Sequence, residues 1–169
     1  MNRHFKSYAA VLPVILRERE GREEVLLHRR ANTGYMDGKW DFAGSGHVEE
    51  GETASQAACR EVLEETGLTV EPVRFAALCE EIFTDPDMRR KYPEYCHRTL
   101  HIFLARTVSE TVRERTETDF QQTGSVWVAP EEAETLPLVP LQLRGRVREV
   151  LNAAGPVYLG SVCRDEVCM

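Results

Sequence analysis

Apolar and polar positions alternate along the first part of the chain in short runs that predict β-strands. The run over residues 5–18 predicts a strand, and Pro13 within it indicates an edge strand or a bulge, because proline cannot donate to a ladder. A glycine-containing turn follows, and residues 25–28 return as a second strand. Residues 31–39 form a polar loop, and residues 40–42 form a short third strand.

The rest of the chain continues to alternate between helix and strand signals. The predicted segments are, in order, a helix over 54–66, an extended stretch over 70–83, a polar loop over 84–96, a strand over 97–107, a charged loop over 108–122, a final strand over 125–128 and a second long helix over 141–153. No linker or repeat interrupts them. The pattern therefore predicts one domain over residues 1–169, with a core of about 5–153 and a C-terminal tail over 154–169. Strands on both sides of a central helix indicate an α/β fold with a mixed sheet.

The first helix has start and stop signals. Thr53 and Gln56 have the spacing of a capping box, and Gly67 fits the left-handed position that ends a helix. Small and apolar residues recur every four positions on one face and would let the helix lie close to a sheet: Ala54, Ala58 and Val62.

Three carboxylates lie close together on this helix. Glu61, Glu64 and Glu65 fall within an arc of about 100° at roughly 100° per residue. Clustered oxygen ligands of this kind suit a hard divalent cation, and such a cation bridges phosphates. Like charges on one face also describe a solvated acidic surface, so the cluster alone leaves both interpretations open.

The carboxylates belong to a longer pattern from Gly46 to Leu68, which reads GHVEEGETASQAACREVLEETGL. This segment resembles the box of the Nudix hydrolases, G-x5-E-x7-R-E-U-x-E-E-x-G-U, where U is aliphatic. The matching fixed positions are Gly46, Glu52, Arg60, Glu61, Glu64, Glu65 and Gly67, with Val62 and Leu68 as the aliphatic residues. Seven fixed identities arise by chance about once in 10⁸ placements at ordinary residue frequencies. The resemblance implies a Nudix-type α/β/α sandwich around a mixed sheet.

The resemblance also implies a role for the charged residues of the box. The metal ligands would be the carbonyl of Gly46 and the carboxylates of Glu61, Glu64 and Glu65. Mg²⁺ is the expected ion and Mn²⁺ an alternative. Glu64, Glu61 and Arg60 would be catalytic residues. Arg60 would either contact phosphate or neutralise the carboxylates, Glu52 above all.

One departure from the family pattern precedes the box. Many members have Pro-Gly-Gly there, whereas this chain has Ala43-Gly44-Ser45-Gly46, without the proline and one residue longer. The departure falls at the glycine whose carbonyl would bind the metal.

Basic and aromatic residues before the box are candidates for substrate binding. Residues 28–42 resemble the segment that enters the box in MutT-type members, where a basic residue ending the second strand contacts phosphate, and Arg30 has that position. Strand alternation would place Arg29 on the opposite face. Lys39 adds local positive charge, and Trp40 would either stack on a base or pack in the core.

Many Nudix enzymes add one carboxylate from a loop beyond the box. Glu117 is the first candidate by position and Asp119 the second, with Glu80 and Glu81 as rivals. Three residues flanking the loop over 84–96 would either read the substrate or have ordinary surface and core roles: Tyr92, Tyr95 and His97.

Net charge and cysteine content restrict the partners and the compartment. A net charge of −7 weighs against nucleic-acid polymers, because it repels their phosphate backbone, whereas a small nucleotide needs only a local basic site. No apolar run is long enough to span a membrane, and the N-terminus lacks the layout of a signal peptide. Five cysteines without a CxxC pair indicate free thiols in a reducing compartment, and thus a cytoplasmic protein. The oligomeric state is left open, with a homodimer among the alternatives, as is the role of Cys163 and Cys168.

The expected function is a Mg²⁺-dependent pyrophosphohydrolase for a nucleoside diphosphate linked to a further group X. The substrate would be a nucleoside triphosphate or a nucleotide sugar such as ADP-ribose, since the box serves both. A non-catalytic nucleotide-binding or regulatory module is the alternative from another class. The residues leave open the base, the group X, the phosphorus that is attacked and the catalytic base.

Overall fold

The computed structural model describes residues 7–31, 36–91, 93, 96–109, 112 and 124–164. These residues form nine strands and four helices. In chain order they are β1 Tyr8–Arg19, β2 Arg22–Arg29, β3 Trp40–Phe42, β4 Gly46–His47, α1 Ala54–Thr66, β5 Val70–Phe83, α2 Pro86–Lys91, β6 His97–Thr107, β7 Ser125–Val128, α3 Pro130–Thr135, β8 Leu138–Val139, α4 Val147–Asn152 and β9 Val157–Arg164.

The strands form one mixed sheet, in the order β8-β3-β2-β1-β6-β5-β9, with β4 paired to β1 and β7 paired to β2. β1 and β6 run parallel, as do β5 and β9, whereas β1 and β2 and also β5 and β6 are antiparallel. The expected α/β fold with a mixed sheet is therefore confirmed.

Helices cover both faces of this sheet. Successive residues of β1 point to opposite faces, so Leu12 and Val14 join the larger core cluster, which also contains Val147 of α4. Ile15 belongs to a second cluster, which includes Val62 of α1. We call these two sides the α4 face and the α1 face. Burial on both faces explains why β1 reads as a nearly continuous apolar run.

Pro13 lies in the interior of the sheet, so the expectation of an edge strand or a bulge is wrong for β1 as a whole. Pro13 is in register with Phe103 of β6. On its other side, β1 pairs with β4 at Ala10 and Val11 and with β2 from Leu16 onward. Residues 12–15 of β1 have no paired neighbour on that side among the described strands. The nitrogen of Pro13, which has no hydrogen to donate, faces this gap, so no ladder hydrogen bond is lost.

Three further expectations differ from the structure. The loop expected over 84–96 contains the short helix α2. The long helix expected over 141–153 is a 3-10 turn, Leu141–Leu143, followed by α4, and Gly145 between them has a φ of 67°, which interrupts a helix. The segment taken as a tail contains β9, which pairs in parallel with β5. Most of the charged loop expected over 108–122 lies outside the described residues.

Within the described part of the chain, none of the helices is long and apolar enough to cross a lipid bilayer.

Candidate active site

α1 has the boundaries that its capping residues predict. The Thr53 hydroxyl accepts a hydrogen bond from the backbone N–H of Gln56, and the Gln56 side chain accepts one from the backbone N–H of Thr53 at 2.8 Å. At the other end Gly67 has a φ of 72° and donates its N–H to the carbonyl of Leu63 at 2.9 Å. These caps fix which residues lie on which side of the helix.

The small face of α1 packs on the sheet. Ala57, Ala58 and Val62 are buried, and the first two form a cluster with Val11 of β1. Small side chains allow this close approach. The glutamates therefore lie away from the sheet interior, at the side where β4 and the loop before it meet the helix.

Arg60 forms hydrogen bonds with three of the acidic residues of the box. Its guanidinium donates to Glu52 twice, from Nη2 at 2.7 Å and from Nε at 3.2 Å. Its Nη1 donates to Glu61 at 2.8 Å and to Glu64 at 3.1 Å. Nη2 also donates to the main-chain carbonyl of His47 at 2.9 Å. One arginine thus ties three carboxylates of α1 and the preceding loop to β4.

These contacts determine the charge states around Arg60. The hydrogen bonds from Arg60 hold the pKa of the Glu52 carboxyl below its usual range. The pKa of Arg60 itself is raised, mainly by its hydrogen bond with Glu52. Glu52 is therefore ionised and oriented by Arg60.

Gly46 lies directly against Glu61. A Cβ placed on Gly46 would be 2.0 Å from the carboxyl carbon of Glu61 and 2.1 and 2.3 Å from its oxygens. Real Cβ atoms do not approach other atoms so closely, so only glycine leaves room for the carboxylate here. The fixed glycine of the box consequently brings its own backbone beside the first glutamate of the cluster.

Gly44 anchors the other end of the same loop. Its N–H donates to Glu65 Oε2 at 3.0 Å, and its φ of 78° lies in the left-handed region. A Cβ at Gly44 would be 2.7 Å from the Cα of Val62. Although its sequence departs from the family pattern, the loop over 43–46 therefore packs directly against α1, with Gly44 beside Val62 and Gly46 beside Glu61.

The donors at this site fit a hard divalent cation. Glu61 and Glu64 each place one oxygen within 3.1 Å of the same nitrogen, Arg60 Nη1, so two carboxylates converge on one point of positive charge. All four expected ligand groups are oxygens, which Mg²⁺ and Mn²⁺ prefer. Among the described residues, no three Asp, Glu, His or Cys side chains surround one common point, and Arg60 Nη1 contacts both Glu61 and Glu64.

Arg30 follows β2 and forms an ion pair that the sequence did not indicate. Its Nη1 lies 2.7 Å from Asp41 Oδ2, and both side chains are largely buried. Burial raises the pKa of the Asp41 carboxyl, and the charge of Arg30 offsets part of this rise. Arg29, its neighbour, is exposed. An acidic residue in the middle of Trp40-Asp41-Phe42, just before the glycine loop, was the available signal for Asp41.

Lys39 and Trp40 lie at the start of β3. The carbonyl of Lys39 accepts from the N–H of Arg30 at 2.9 Å, and Trp40 is in register with Arg29. Trp40 is partly buried and packs against the core cluster of the α4 face. The structure thus brings the main chain of Lys39 to Arg30, whereas the Trp40 side chain lies on the face of its register partner Arg29.

The candidates for an additional carboxylate have different positions. Glu80 accepts hydrogen bonds from Tyr158 at 2.7 Å and Ser161 at 3.2 Å, and it pairs with His97 at 3.1 Å. Glu81 is fully buried and forms an ion pair with Arg98. Four of the residues considered lie outside the described part of the chain: Glu117, Asp119, Tyr92 and Tyr95.

Arg98 is a residue that the sequence analysis missed. It begins the alternation that continues through Leu100 and Ile102, which both belong to the core cluster of the α4 face. Its positive charge adds to desolvation in lowering the pKa of His47. An arginine in phase with buried residues of a strand was the signal that could have identified it.

The fold and the site define a class of protein. An α/β sandwich carries clustered glutamates on one helix, and a glycine loop brings its backbone beside them. The family model for the NUDIX domain matches residues 7–151. The chain belongs to the Nudix family and is a hydrolase of phosphorus-containing acid anhydrides.

Solved structures of other proteins share this architecture. The MutT protein from Methanosarcina mazei Go1 is 25% identical with a TM-score of 0.62, and the match covers 86% of this chain and 93% of that one. An ADP-ribose pyrophosphatase from Streptococcus suis is 18% identical with a TM-score of 0.56, covering 89% and 98%. An Ap4A hydrolase from C. elegans is 21% identical with a TM-score of 0.59, covering 84% and 93%. The latter two likenesses support the fold alone.

Proposed function

We propose that this protein is a Mg²⁺-dependent pyrophosphohydrolase that cleaves the diphosphate of a nucleoside diphosphate linked to a group X. The observation that carries this proposal is the convergence of Glu61 and Glu64 beside Gly46, with Glu65 held to the same loop by Gly44. A purely solvated acidic face would not need a glycine at 46 to make room for a carboxylate. The intact glutamates favour catalysis over a non-catalytic binding module.

The chain supplies the ligands for the metal. Glu61, Glu64, Glu65 and the carbonyl of Gly46 would hold it, and when bound it neutralises charge on the pyrophosphate oxygens and orients them. Glu52 and Arg60 would position these ligands without binding the metal themselves. Glu52 fixes one edge of the Arg60 guanidinium, and Arg60 aligns the carboxylates of Glu61 and Glu64.

The residues before the box bind the rest of the substrate. Arg30 holds a terminal phosphate oxygen, and its pairing with Asp41 fixes the direction of its guanidinium. Lys39 adds positive charge beside it. The half-buried ring of Trp40 offers a surface for a base.

The reaction is an in-line displacement at one phosphorus. Glu64, or a loop carboxylate such as Glu117, accepts a proton from the attacking water. The bond between this phosphorus and the bridging oxygen breaks, and the leaving phosphate takes up the negative charge. The products are a nucleoside monophosphate and phosphorylated X, or pyrophosphate when the substrate is a nucleoside triphosphate.

We also propose a cytoplasmic location. The described cysteines, Cys59, Cys79, Cys96 and Cys163, are all free thiols, which suits a reducing compartment.

A substrate panel tests the proposal. The protein is incubated with nucleoside triphosphates, nucleotide sugars and dinucleoside polyphosphates in the presence of Mg²⁺, and the products are identified by chromatography. Cleavage of a diphosphate bond in at least one class is expected. Failure to turn over any member would contradict the proposal.

Variants connect the measured activity to the box. Glu64→Gln and Glu65→Gln should each lower kcat by at least about 10²-fold, because each removes a group that holds charge in the transition state. Glu50→Gln is the matched control, since Glu50 is exposed and carries the same charge at a variable position of the box. Near-full turnover in either of the first two variants, or an equal loss in the control, would remove the box carboxylates from catalysis.

A further inference from the structure

Polar side chains cross one end of the sheet on the α4 face. Tyr8 of β1 is in register with Arg98 of β6, and Arg98 is in register with Glu81 of β5. On the other side of β1, His47 of β4 pairs with Ala10, and its ring lies 5.0 Å from the ring of Tyr8 at an angle of 42°. Four neighbouring strands therefore contribute one row of side chains: His47, Tyr8, Arg98 and Glu81.

Glu81 holds Arg98 by one edge. Both Nε and Nη2 of Arg98 contact Glu81 Oε2, and the Glu81 side chain has an exposed fraction of 0%. The Arg98 side chain keeps an exposed fraction of 24%. Within the described ranges, its Nη1 has no hydrogen-bond partner. A guanidinium fixed on one edge and open on the other is ready to bind an acceptor, because little side-chain entropy remains to be lost.

β4 joins this row to the catalytic residues. Gly46 lies against Glu61 on the α1 face, whereas the ring of the next residue, His47, points to the α4 face. The carbonyl of His47 accepts a hydrogen bond from Arg60. A substrate whose phosphates lie at the box can therefore extend over the two residues of β4 toward Tyr8 and Arg98.

The charges of the row favour a neutral group over another phosphate. Glu81 neutralises Arg98, so the row has no surplus positive charge to attract an anion. The rings of Tyr8 and His47 beside the guanidinium suit a flat aromatic ligand. The donors of an arginine fork match the O6 and N7 acceptors of a 6-oxopurine, whereas adenine presents an amino donor at position 6.

We propose that Arg98, held by Glu81, is a specificity-determining residue that reads the O6/N7 edge of a purine, so that the preferred substrates are guanine or hypoxanthine nucleotides. This proposal rests on the proposed function, because it identifies the base that the same site accepts. Tyr8 and His47 flank the base, and the box holds the phosphates.

Inosine and adenosine nucleotides provide the test, because they share N7 and differ in the group at position 6 and in the proton on N1. We expect kcat/KM for ITP to exceed that for ATP by about 5- to 160-fold in the wild type, the range for one bidentate contact. The same comparison is made with the hypoxanthine and adenine forms of any other substrate class that the panel shows to be cleaved. Arg98→Lys keeps the charge opposite Glu81 but loses the fork, and should reduce the ratio to below about threefold.

Arg106→Lys is the matched control. Arg106 lies on the same strand and pairs with Glu23 at 3.3 Å on the surface, so its replacement should leave the ratio unchanged. A purely structural role of Arg98 would lower Tm and reduce both rates equally without changing their ratio. Equilibrium binding of IMP and AMP to the wild type and to Arg98→Lys, measured in EDTA, provides a second readout that needs no turnover.

The outcomes separate the two proposals. No turnover of any nucleotide together with selective binding of IMP would contradict the proposed function and support the role of Arg98. Turnover without a preference for the 6-oxo base would overturn the role of Arg98 and leave the hydrolase assignment standing. The same ratio in Arg98→Lys as in the wild type would also overturn it.

Discussion

Replacing Gly46 with alanine tests whether Glu61 works from the position in which the structure holds it. The new Cβ would lie 2.0 to 2.3 Å from the three carboxylate atoms of Glu61, so these atoms must move. The end of a glutamate side chain rotates at low cost. The clash is therefore relieved by moving the carboxylate away from Gly46 and Glu64, while the backbone stays in place.

The expected effect is large on activity and small on stability. Displacing one group that holds charge in the transition state costs about 10²- to 10³-fold in rate, and we expect kcat/KM to fall by at least about 10²-fold. The free energy of unfolding should change by less than about 1 kcal/mol, because alanine also restricts the unfolded chain by about 0.4 to 1 kcal/mol.

Gly44→Ala should show the reverse pattern. Its φ of 78° costs a residue with a side chain about 1 to 2 kcal/mol. The contact of 2.7 Å with the backbone of Val62 adds overpacking of about 1 to 3 kcal/mol, which α1 cannot relieve by a side-chain rotation. Together these terms predict a loss of about 2 to 5 kcal/mol. At about 2 to 4 °C per kcal/mol for a chain of this size, Tm should fall by about 4 to 20 °C.

Gly155→Ala is the control for both, because an added Cβ there meets no atom within 4 Å. Steady-state kinetics on the best panel substrate and thermal melts on the three variants provide the comparison. Full turnover in Gly46→Ala with an unchanged Tm would refute the role of Glu61 at this position. A fall in Tm equal to that of Gly44→Ala would show that the backbone moves and the carboxylate does not.

Further predictions concern substrate binding, metal and pH. Arg30→Ala should lower kcat/KM by an amount equivalent to about 1.5 to 3 kcal/mol of transition-state stabilisation, the range for a hydrogen bond to a charged group. Arg29 is exposed, so Arg29→Ala should cost at most about 1 kcal/mol. The reverse ranking in steady-state kinetics would show that Arg29, and not Arg30, contacts the phosphate. EDTA should abolish turnover and Mg²⁺ or Mn²⁺ should restore it, whereas full restoration by Zn²⁺ alone would indicate nitrogen or sulfur ligands. Burial raises the pKa of Asp41 above its ordinary value of 3.8, so the folded state binds this proton more tightly than the unfolded state. That contribution to stability is complete below pH 3.8 and is lost as pH rises through the folded pKa. The Tm of the wild type relative to Asp41→Asn should therefore fall as pH rises above 3.8, and a constant difference would contradict the assignment.

Local signals predicted the helix that carries the site. The capping box at Thr53 and Gln56 and the left-handed glycine at 67 are interactions between residues a few positions apart, and the structure has both. The strands over 70–83 and 97–107 were likewise evident from their own apolar patterns, and the structure places β5 and β6 there.

The features that could not be predicted from the sequence depend on pairing between strands that are distant along the chain. Pro13 is accommodated because β4 and β2 pair with different parts of β1, and neither register is visible in the residues around the proline. Asp41 and Arg98 lie on strands whose neighbours are set by the whole sheet. Their ion pairs with Arg30 and Glu81 join residues 11 and 17 positions apart, and no local pattern specifies such partners.

The position of Arg60 has a consequence for how the protein exists without its metal. Like-charged carboxylates brought together would repel each other, but this site has a resident counter-ion that lies between Glu61 and Glu64. We therefore expect the chain to reach its folded state before any metal arrives, so that chelation stops turnover and leaves the melting curve almost unchanged. A divalent cation entering between the two glutamates must compete with the guanidinium, and each binding event becomes an exchange of partners. Removing Arg60 would then end this competition and also release Glu61 and Glu64 from the positions in which its hydrogen bonds hold them.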